Sequence, residues 1–562
     1  MSKFMRAALS LGTAVTVAAA FAVSAQPGLT SAHSGHAKTK IGTLTFAGFI
    51  SPNLHLANTL DPAQVQDAND LGVIALVNQE VVIIDDTGRV VCELCTHWTV
   101  SPNHKVYTFY MRKAHFSNGD KVTAADAVAS IREALAAKTS SPVAYYDQTI
   151  AGYDNYNAGK SSFLGVKALS GNRLQVTTSK PVAYFLKAFT YITNTVLDQR
   201  VVKGINRTAK GNALTTDCQK NVGAGPFKFQ CQGHAFTRAG ASPRYLLVPN
   251  PHYFGPKPHV NMDLLSIGTS ETAYNEFLAG KLDAVGLPSQ YLSRWQGNHA
   301  VFHAVPTSQI TYDSLNTYTA PFNNVNCRLA WAWGINRNTI STIVHHEAKP
   351  LYTIVPPSSA FLGHWNGAGV PHYNLAKAQS YFAKCPGGAT AKFQYDYPTG
   401  SQDSDNWATA EVGMLQKVGF KGVTPNGQQY NDWANAVGQP MNKTGTIAVQ
   451  NGWIMDYPDS QDYVSLLFQC HAAYDITGWC NSRFDKLTTE ADSSFNSKVR
   501  ARLYEQAQKI ALNSGMPVQL ENYYAYYLRK ASVKGYTDTF TCGGECPKDL
   551  PNGLPNWAGV SP

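Results

Sequence analysis

The stretch of sequence that decides the fold class runs from residue 106 to residue 126 and reads VYTFYMRKAHFSNGDKVTAAD. Its first six residues, Val106–Met111, are mostly β-branched or aromatic, which predicts a β-strand. Asn118-Gly119 predicts a turn. Thr123-Ala124-Ala125-Asp126 resembles a capping box with Asp in place of Glu and predicts the start of a helix. Strand, turn and helix in succession indicate a mixed α/β class.

Apolar residues recur at helical spacing in four places along the chain, the first of them in the helix that starts at Thr123, and the other three segments stop at a glycine, as helices often do. The apolar stripes are Val128, Ile131 and Leu135; Tyr274, Phe277 and Leu278 before Gly280; Trp407, Ala410, Met414, Leu415 and Val418 before Gly419; and Val499, Leu503 and Ile510 before Gly515. We expect these stripes to pack into cores rather than to face a ligand.

Length and charge narrow the class of protein. The chain has 562 residues, of which 44% are hydrophobic and 15% charged, so it is globular and too long for a single core. The net charge is +9, and no run of five or more Lys and Arg residues occurs. This scattered charge is typical of a solvated surface, and we expect no nucleic-acid binding.

The N-terminus predicts export. Lys3 and Arg6 precede a short apolar stretch, Ala7–Val23, and Val23-Ser24-Ala25 is a pattern that signal peptidase cuts after. We therefore expect residues 1–25 to be a signal peptide. The first cysteine is Cys92, so we expect a mature chain without a lipid anchor.

A polar tract, residues 26–40, follows the predicted cleavage site and is expected to be a flexible lead-in. It contains His33-Ser34-Gly35-His36, a weak metal-binding pattern, and we predict no metal site there.

Ten cysteines in an exported chain favour disulfides. Sequence alone does not fix their connectivity. Short separations favour the pairs Cys92–Cys95, Cys218–Cys231, Cys470–Cys480 and Cys542–Cys546, which leaves Cys327 with Cys385. A zinc site built from the first and last pairs is the alternative.

A series of short motifs, in order, resembles the family 5 extracytoplasmic solute-binding proteins of ABC transporters, the oligopeptide, dipeptide and nickel group. The motifs are Leu60-Asp61-Pro62, Trp98-Thr99-Val100-Ser101, Tyr107-Thr108-Phe109, Phe116–Asp120, Val122–Asp126, Gly223-Ala224-Gly225-Pro226-Phe227, Asn250–Gly255, Asn326–Ala330, Gly334–Arg337 and Leu503–Ile510. Their order over residues 41 to about 540 carries the resemblance, since each motif alone is common.

The resemblance implies a two-lobed α/β fold, similar to class II periplasmic binding proteins, that closes on its ligand like a hinged clamp. It implies a first lobe over residues 41–78, 185–286 and 520–562, a subdomain inserted at 79–184, and a second lobe over 287–519. Closure would give empty and loaded forms different surfaces, which a membrane permease can distinguish.

The same resemblance implies a receptor that captures peptides between the lobes and delivers them to the permease of an ABC importer. Such a receptor performs no chemistry, so we expect no catalytic residue and no cofactor. The expected partners are a peptide or other small solute and the membrane subunits of the permease, and we expect a monomer. The expected location is the periplasm, or the cell surface and medium.

One stretch, residues 452–459, supplies the candidate ligand contacts. Peptide-binding members of the family place an aspartate shortly after a tryptophan, where it pairs with the α-ammonium group of the ligand. Asp456 matches that aspartate, and Trp453 would form an aromatic wall of the cleft. Asp459 and Trp433 are weaker candidates. Alternatively, Asp456 and Asp459 only shape a turn through bonds from side chain to backbone.

Two other functions stay open. The first is a receptor of the same fold for another solute, such as a metal chelate, a sugar or an opine. The second is a secreted hydrolase, although neither a Gly-x-Ser-x-Gly nor a His-Glu-x-x-His motif occurs. The sequence His345-His346-Glu347 superficially resembles the latter, but we expect these residues to lie just past a helix. Within the receptor class, a sensor that passes its loaded state to a signalling partner shares the same sequence features as a transport receptor.

Overall fold

The computed structural model describes residues 41–47, 59–65, 68–205, 207–208, 211–236, 244–267, 269–357, 365–399, 402–539, 544–549 and 555–562. The predicted signal peptide, the predicted lead-in and Cys542 lie outside the described residues. Among the described residues, no helix combines the length and the apolar character needed to cross a membrane.

Strands and helices are interspersed along the described chain. The strands are β1 (Gly42–Ala47), β2 (Val82–Ile84), β3 (Val90–Cys92), β4 (Cys95–Val100), β5 (Val106–Met111), β6 (Val166–Leu169), β7 (Arg173–Thr177), β8 (Arg207–Thr208), β9 (Gly211–Asn212), β10 (Phe227–Phe229), β11 (Cys231–Gln232), β12 (Ala235–Phe236), β13 (Arg244–Pro249), β14 (Val260–Leu265), β15 (Ala284–Gly286), β16 (Phe302–Leu315), β17 (Ala348–Pro350), β18 (Lys392–Pro398), β19 (Gly422–Gln428), β20 (Ala448–Trp453), β21 (Val518–Arg529), β22 (Tyr536–Thr539) and β23 (Gly544–Pro547).

The helices are α1 (Ala68–Val77), α2 (Ala124–Ala134), α3 (Tyr153–Asn157), α4 (Phe185–Ala188), α5 (Gln199–Lys203), α6 (Ala213–Thr216), α7 (Ser270–Leu278), α8 (Leu292–Trp295), α9 (Val325–Gly334), α10 (Arg337–Ile343), α11 (Leu375–Phe382), α12 (Gln402–Val418), α13 (Tyr430–Val437), α14 (Met441–Thr444), α15 (Ser465–Phe468), α16 (Ser482–Ser493) and α17 (Ser497–Asn513). Short 3-10 turns, including one over Ser460–Asp462, connect several of them.

The strand and helix predicted from residues 106–126 are confirmed. The strand is β5, and α2 begins directly after Thr123. The Thr123 side chain accepts a hydrogen bond from the Asp126 N–H, and the Asp126 carboxylate accepts one from the Thr123 N–H at 2.8 Å. Asp therefore completes the capping box as Glu would, because both groups satisfy donors at the helix start.

In the described part of the chain, two sheets organise the molecule. Strands in the order β4-β5-β7-β6 form an antiparallel sheet inside the range predicted for the inserted subdomain. Phe185 of α4 packs on this sheet with its ring 4.4 Å from that of Tyr107, and Phe189 lies 5.3 Å from Phe109. We call the sheet with α2 and α4 the small-sheet unit.

The second sheet is large and mixed. Eleven strands belong to it among the described residues, in the order β10-β13-β14-β1-β15-β21-β16-β20-β18-β19, with β17 paired to β21. We call β16, β18, β19 and β20, with α9 to α17, the β20 half. Within this half, β18 runs parallel to both β19 and β20. The mixed α/β class predicted from sequence is confirmed.

Two long antiparallel strands, β16 and β21, join the two halves of the large sheet. Residues 302–306 of β16 pair with the end of β21 that also pairs with β15. Residues 310–313 of β16 pair with the other end of β21, and this part of β16 also pairs with β20. The register shifts between Pro306 and Ile310. A pair of crossing strands with a break in register suits a hinge. The lobe boundaries at 286/287 and 519/520 stay predictions.

The glycines of the Gly-Ala-Gly-Pro-Phe motif are required by a close backbone approach. A Cβ at Gly223 would lie 1.8 Å from the carbonyl oxygen of Val77, and a Cβ at Gly225 would lie 2.5 Å from the carbonyl carbon of Val77. The Gly225 N–H donates to the same carbonyl at 3.0 Å. The motif therefore packs directly against the backbone at the C-terminal end of α1, and its two glycine positions have no room for a Cβ atom.

Disulfide bridges cross-link the chain at several points, over sequence separations from 3 to 58 residues. Within the described residues the pairs are Cys92–Cys95, Cys218–Cys231, Cys327–Cys385 and Cys470–Cys480. These four predicted pairs are confirmed. The fifth predicted pair, Cys542–Cys546, falls on Cys542, outside the described residues, and stays a prediction.

Candidate ligand-binding cleft

The candidate ligand contacts lie where β20 ends. Trp453 is the last residue of β20, and Asp456 follows in the loop that leads to the short turn Ser460–Asp462. β20 lies between β16 and β18 in the sheet. The carboxyl ends of parallel strands in open α/β sheets are the usual place for ligands, because the loops there surround a crevice.

One buried carboxylate, Asp462, fixes the geometry of this loop. It accepts a hydrogen bond from the Trp453 indole N–H and another from the Asp456 backbone N–H, both at 3.0 Å to the same oxygen. Trp453 is 7% exposed, and its ring lies 5.0 Å from that of Tyr474. The indole is therefore anchored within the protein, and its role as an aromatic wall of the cleft stays a prediction.

Asp456 itself is half-buried. Its charge is one of the smaller influences that raise the pKa of Tyr457 and Tyr463, after burial and the charge of Asp462. A partly buried carboxylate at the end of a central strand is suited to pair with a cationic group of a ligand.

Asp459 has a different environment. Its carboxylate is fully buried and accepts two hydrogen bonds from Arg500, at 2.9 and 2.7 Å, and one from the Gln461 N–H at 3.0 Å. Lys187 approaches the same carboxylate at 3.4 Å. Burial alone would raise the pKa of Asp459, but Arg500 and Lys187 hold it below its ordinary value. The turn-shaping alternative thus describes Asp459 in part, and its role as a ligand contact stays a prediction.

Trp433 lies in a small core between α13 and β20. It is 2% exposed, and its indole N–H donates to the Gln450 carbonyl oxygen at 2.8 Å. Its neighbours in this core are Ala434, Val437, Met441, Val449 and Ile476. The structure therefore separates Trp433 from solvent, and its ligand role stays a prediction.

Tyrosines that sequence reasoning did not single out face the loop from the small-sheet unit and its neighbourhood. The Tyr457 ring is 6.2 Å from Tyr184, nearly parallel, and 6.0 Å from Tyr146, nearly perpendicular. Tyr145 contacts Tyr474 edge-on at 5.0 Å. Burial raises the pKa of Tyr184 and Tyr457, so both phenols stay neutral at physiological pH. The adjacent tyrosines Tyr145 and Tyr146 are the one feature of the sequence that could have indicated this aromatic cluster.

A cluster of potential metal ligands lies beside this cleft. Cys470, His471 and Cys480 bring their ligand atoms within 4.8 Å of one another. The two sulfurs form a disulfide, so they are not thiolate ligands, and the bridge instead closes the loop that carries Tyr474.

His345, His346 and Glu347 do not form a hydrolase motif. They follow α10, as predicted, and precede β17. His345 and His346 have positive φ angles of 51° and 64°, so the segment is a turn rather than the helix that a His-Glu-x-x-His zinc site requires.

Comparison with protein families gives one family match. Residues 89–475 match the model of the bacterial extracellular solute-binding proteins, family 5, over more than half of the chain. The chain belongs to this family. The resemblance found in the sequence motifs is therefore confirmed, and the family's members are binding proteins that act outside the cytoplasm.

Curated relatives of this family member align along most of their length. The chain is 25% identical over 496 residues to the oligopeptide-binding protein OppA of Bacillus subtilis, covering 86% of each chain. It is 26% identical over 516 residues to the periplasmic oligopeptide-binding protein OppA of Haemophilus influenzae, covering 87% of this chain and 90% of that one.

Solved structures of the family share the fold. The substrate-binding domain of an oligopeptide ABC transporter from Bacillus anthracis superposes with a TM-score of 0.74 at 20% identity, over 92% of this chain and 99% of that one. Listeria monocytogenes OppA bound to peptide gives 0.71 at 22% identity, over 91% and 99%. The two-lobed fold of periplasmic binding proteins, predicted from the resemblance, is confirmed.

Proposed function

We propose that this chain is an extracytoplasmic receptor that binds peptides between its lobes and delivers them to the permease of an ABC importer. Relatives aligned along most of the chain are named for binding oligopeptides. The observation that carries the proposal is the position of Asp456, a half-buried carboxylate just past β20 and directly before Tyr457, whose ring packs against Tyr146 and Tyr184.

The physical case rests on charge and shape. A peptide with a free N-terminus carries an ammonium group, and burying that group in a closed cleft requires a carboxylate partner. Asp456 supplies the carboxylate, while Asp462 holds the backbone of Asp456 in place. The rings of Tyr146 and Tyr184 are buried against Tyr457, so opening of the lobes would expose an aromatic surface that accepts varied side chains.

The remaining features of the proposal follow from the same role. A receptor that only binds and releases its ligand needs no catalytic residue and no cofactor. We propose that the mature chain acts as a monomer in the periplasm or at the cell surface. We also propose that the ABC permease recognises the closed form, because closure brings surfaces of the two lobes together.

The test compares peptides that differ only at the N-terminus. A mixed library of tri- to pentapeptides is screened by thermal shift, and the most stabilising member is synthesised with a free and with an acetylated N-terminus. Isothermal titration of the wild type should show that acetylation weakens binding by about 10²- to 10³-fold, since the carboxylate then lacks its partner.

Two variants make this test specific. Asp456→Asn should bind the free peptide more weakly and should discriminate between the two peptides by less than about tenfold. Asp154→Asn, which changes an exposed aspartate of α3, should behave as the wild type does. Equal discrimination by Asp456→Asn and the wild type would remove Asp456 from the site.

A same-fold receptor for another solute is the second candidate. The chain is 23% identical over 474 residues to a probable deoxycholate-binding periplasmic protein of Escherichia coli, so the shared framework also occurs in a relative named for a ligand that is not a peptide. If a sugar or a metal chelate raises the melting temperature and no peptide does, this second function replaces the first.

A further inference from the structure

The small-sheet unit and the β20 half meet beside the candidate cleft, and the side chain of Lys187 reaches from the first to the second. Lys187 lies on α4, which packs on the small sheet through Phe185. Asp459 and Arg500 belong to the β20 half, at the short turn after β20 and on α17. The contact between Lys187 and Asp459 therefore joins two parts of the molecule that have separate sheets.

The geometry of this contact is specific. The Lys187 Nζ donates to the Pro458 carbonyl oxygen at 2.7 Å and lies 3.4 Å from the Asp459 Oδ2. The Lys187 side chain is 23% exposed, whereas that of Asp459 is fully buried. Lys187 thus reaches from the edge of solvent to a carbonyl and a carboxylate of the opposite part.

Arg500 pairs with Asp459 without crossing the interface. Its guanidinium group forms both hydrogen bonds of a bidentate pair with Asp459, and both residues lie in the β20 half. That pair survives any relative movement of the two parts, because both partners move together. The Lys187 contacts do not, because they exist only while the two parts are together.

Other contacts surround Lys187 at the same interface. The Ala183 N–H donates to the Asp492 carbonyl oxygen at 2.9 Å, and the Tyr184 ring lies over Tyr457. His104 stacks on Phe495 with ring centroids 4.0 Å apart. Charged, backbone and aromatic contacts therefore line one continuous face between the small-sheet unit and the β20 half.

We propose that Lys187 is a positioning residue that latches the closed conformation by binding Pro458 and Asp459 across this interface. An interaction made in only one of two states shifts the equilibrium toward that state by its full free energy. The latch therefore raises the closed fraction before any ligand binds, and the apparent affinity for ligand rises with that fraction. The affinity consequence rests on the proposed function, whereas the conformational consequence does not.

The conformational test uses small-angle X-ray scattering of the ligand-free mature chain. Lys187→Met keeps the length of the side chain and removes its charge and its donors. We expect this variant to have a larger radius of gyration than the wild type, since its open fraction is greater. Lys187→Arg keeps the charge and should restore the compact form.

A matched control separates the latch from the loss of any ion pair. Lys530 pairs with Asp283 at 2.9 Å, away from the interface between the small-sheet unit and the β20 half, and its side chain is 32% exposed. Lys530→Met should therefore leave the radius of gyration unchanged. Equal radii for the wild type and Lys187→Met would overturn the proposal, as would the same expansion in Lys530→Met.

Ligand binding gives the second readout. With the peptide identified by the thermal-shift screen, Lys187→Met should bind about tenfold more weakly than the wild type, through faster dissociation. Unchanged affinity and dissociation would overturn the latch. If no peptide binds any variant but the radii differ as expected, the proposed function fails and the latch stands.

Discussion

The buried pair of Arg500 and Asp459 allows a prediction about stability. Arg500→Met removes the guanidinium group and keeps an apolar chain of similar length. The fully buried Asp459 carboxylate then loses its two hydrogen bonds from Arg500 and keeps the cation of Lys187 at 3.4 Å. Breaking a buried ion pair by removing one partner costs about 3–5 kcal/mol, because the other charge stays buried and uncompensated.

The assay is urea unfolding of the mature chain with its disulfides intact, followed by tryptophan fluorescence. Arg502→Met, on the exposed face of the same helix, should change the free energy of unfolding by less than about 0.5 kcal/mol. Adding Asp459→Asn to Arg500→Met should recover part of the loss, because it removes the buried charge. A cost below about 1 kcal/mol for Arg500→Met, or a further loss in the double variant, would refute the reasoning.

Two further perturbations test the fold away from the cleft. Burial raises the pKa of Glu521 to about 9 despite the nearby charge of Arg337, so the folded state binds a proton that the unfolded state releases near its ordinary pKa. Stability should therefore fall as pH rises toward 9, and Glu521→Gln should flatten that decline in unfolding measured at several pH values; an unchanged decline would contradict the assignment. Replacing both Cys327 and Cys385 by Ser opens a bridge with a sequence separation of 58 and should cost about 2–5 kcal/mol in urea unfolding, whereas an unchanged midpoint would show that the bridge adds nothing.

Local features of the fold were predictable because their causes are close in sequence. The strand over Val106–Met111 follows from its own β-branched and aromatic residues, and the start of α2 follows from Thr123 and Asp126, three residues apart. The helices that end before Gly419 and Gly515 were predicted for the same reason. The short disulfides also follow from separation along the chain.

The contacts of the cleft were less predictable because they join distant residues. Asp459 pairs with Arg500, which is 41 residues away in the sequence, and Lys187 contacts Pro458, which is 271 residues away. No periodicity or motif signals such partners. Glu411 was likewise not singled out from the sequence. It is fully buried on α12 and accepts hydrogen bonds from Trp407 and Tyr395.

The family framework and the ligand site also differ in how well sequence specifies them. The Gly223 and Gly225 motif is enforced by backbone contact with Val77, so it marks the fold whatever the ligand is. Asp456 carries the ligand proposal through one carboxylate, and Tyr184, which packs on the neighbouring Tyr457, comes from a distant part of the chain. The fold was therefore predictable in more detail than the site.

The most direct test of the peptide-receptor proposal is mass spectrometry of small molecules released by denaturing the natively purified chain. The account predicts a mixture of short peptides with free N-termini, retained by the wild type and reduced in Asp456→Asn. Release of a sugar, an opine or a metal chelate in place of peptides would contradict it.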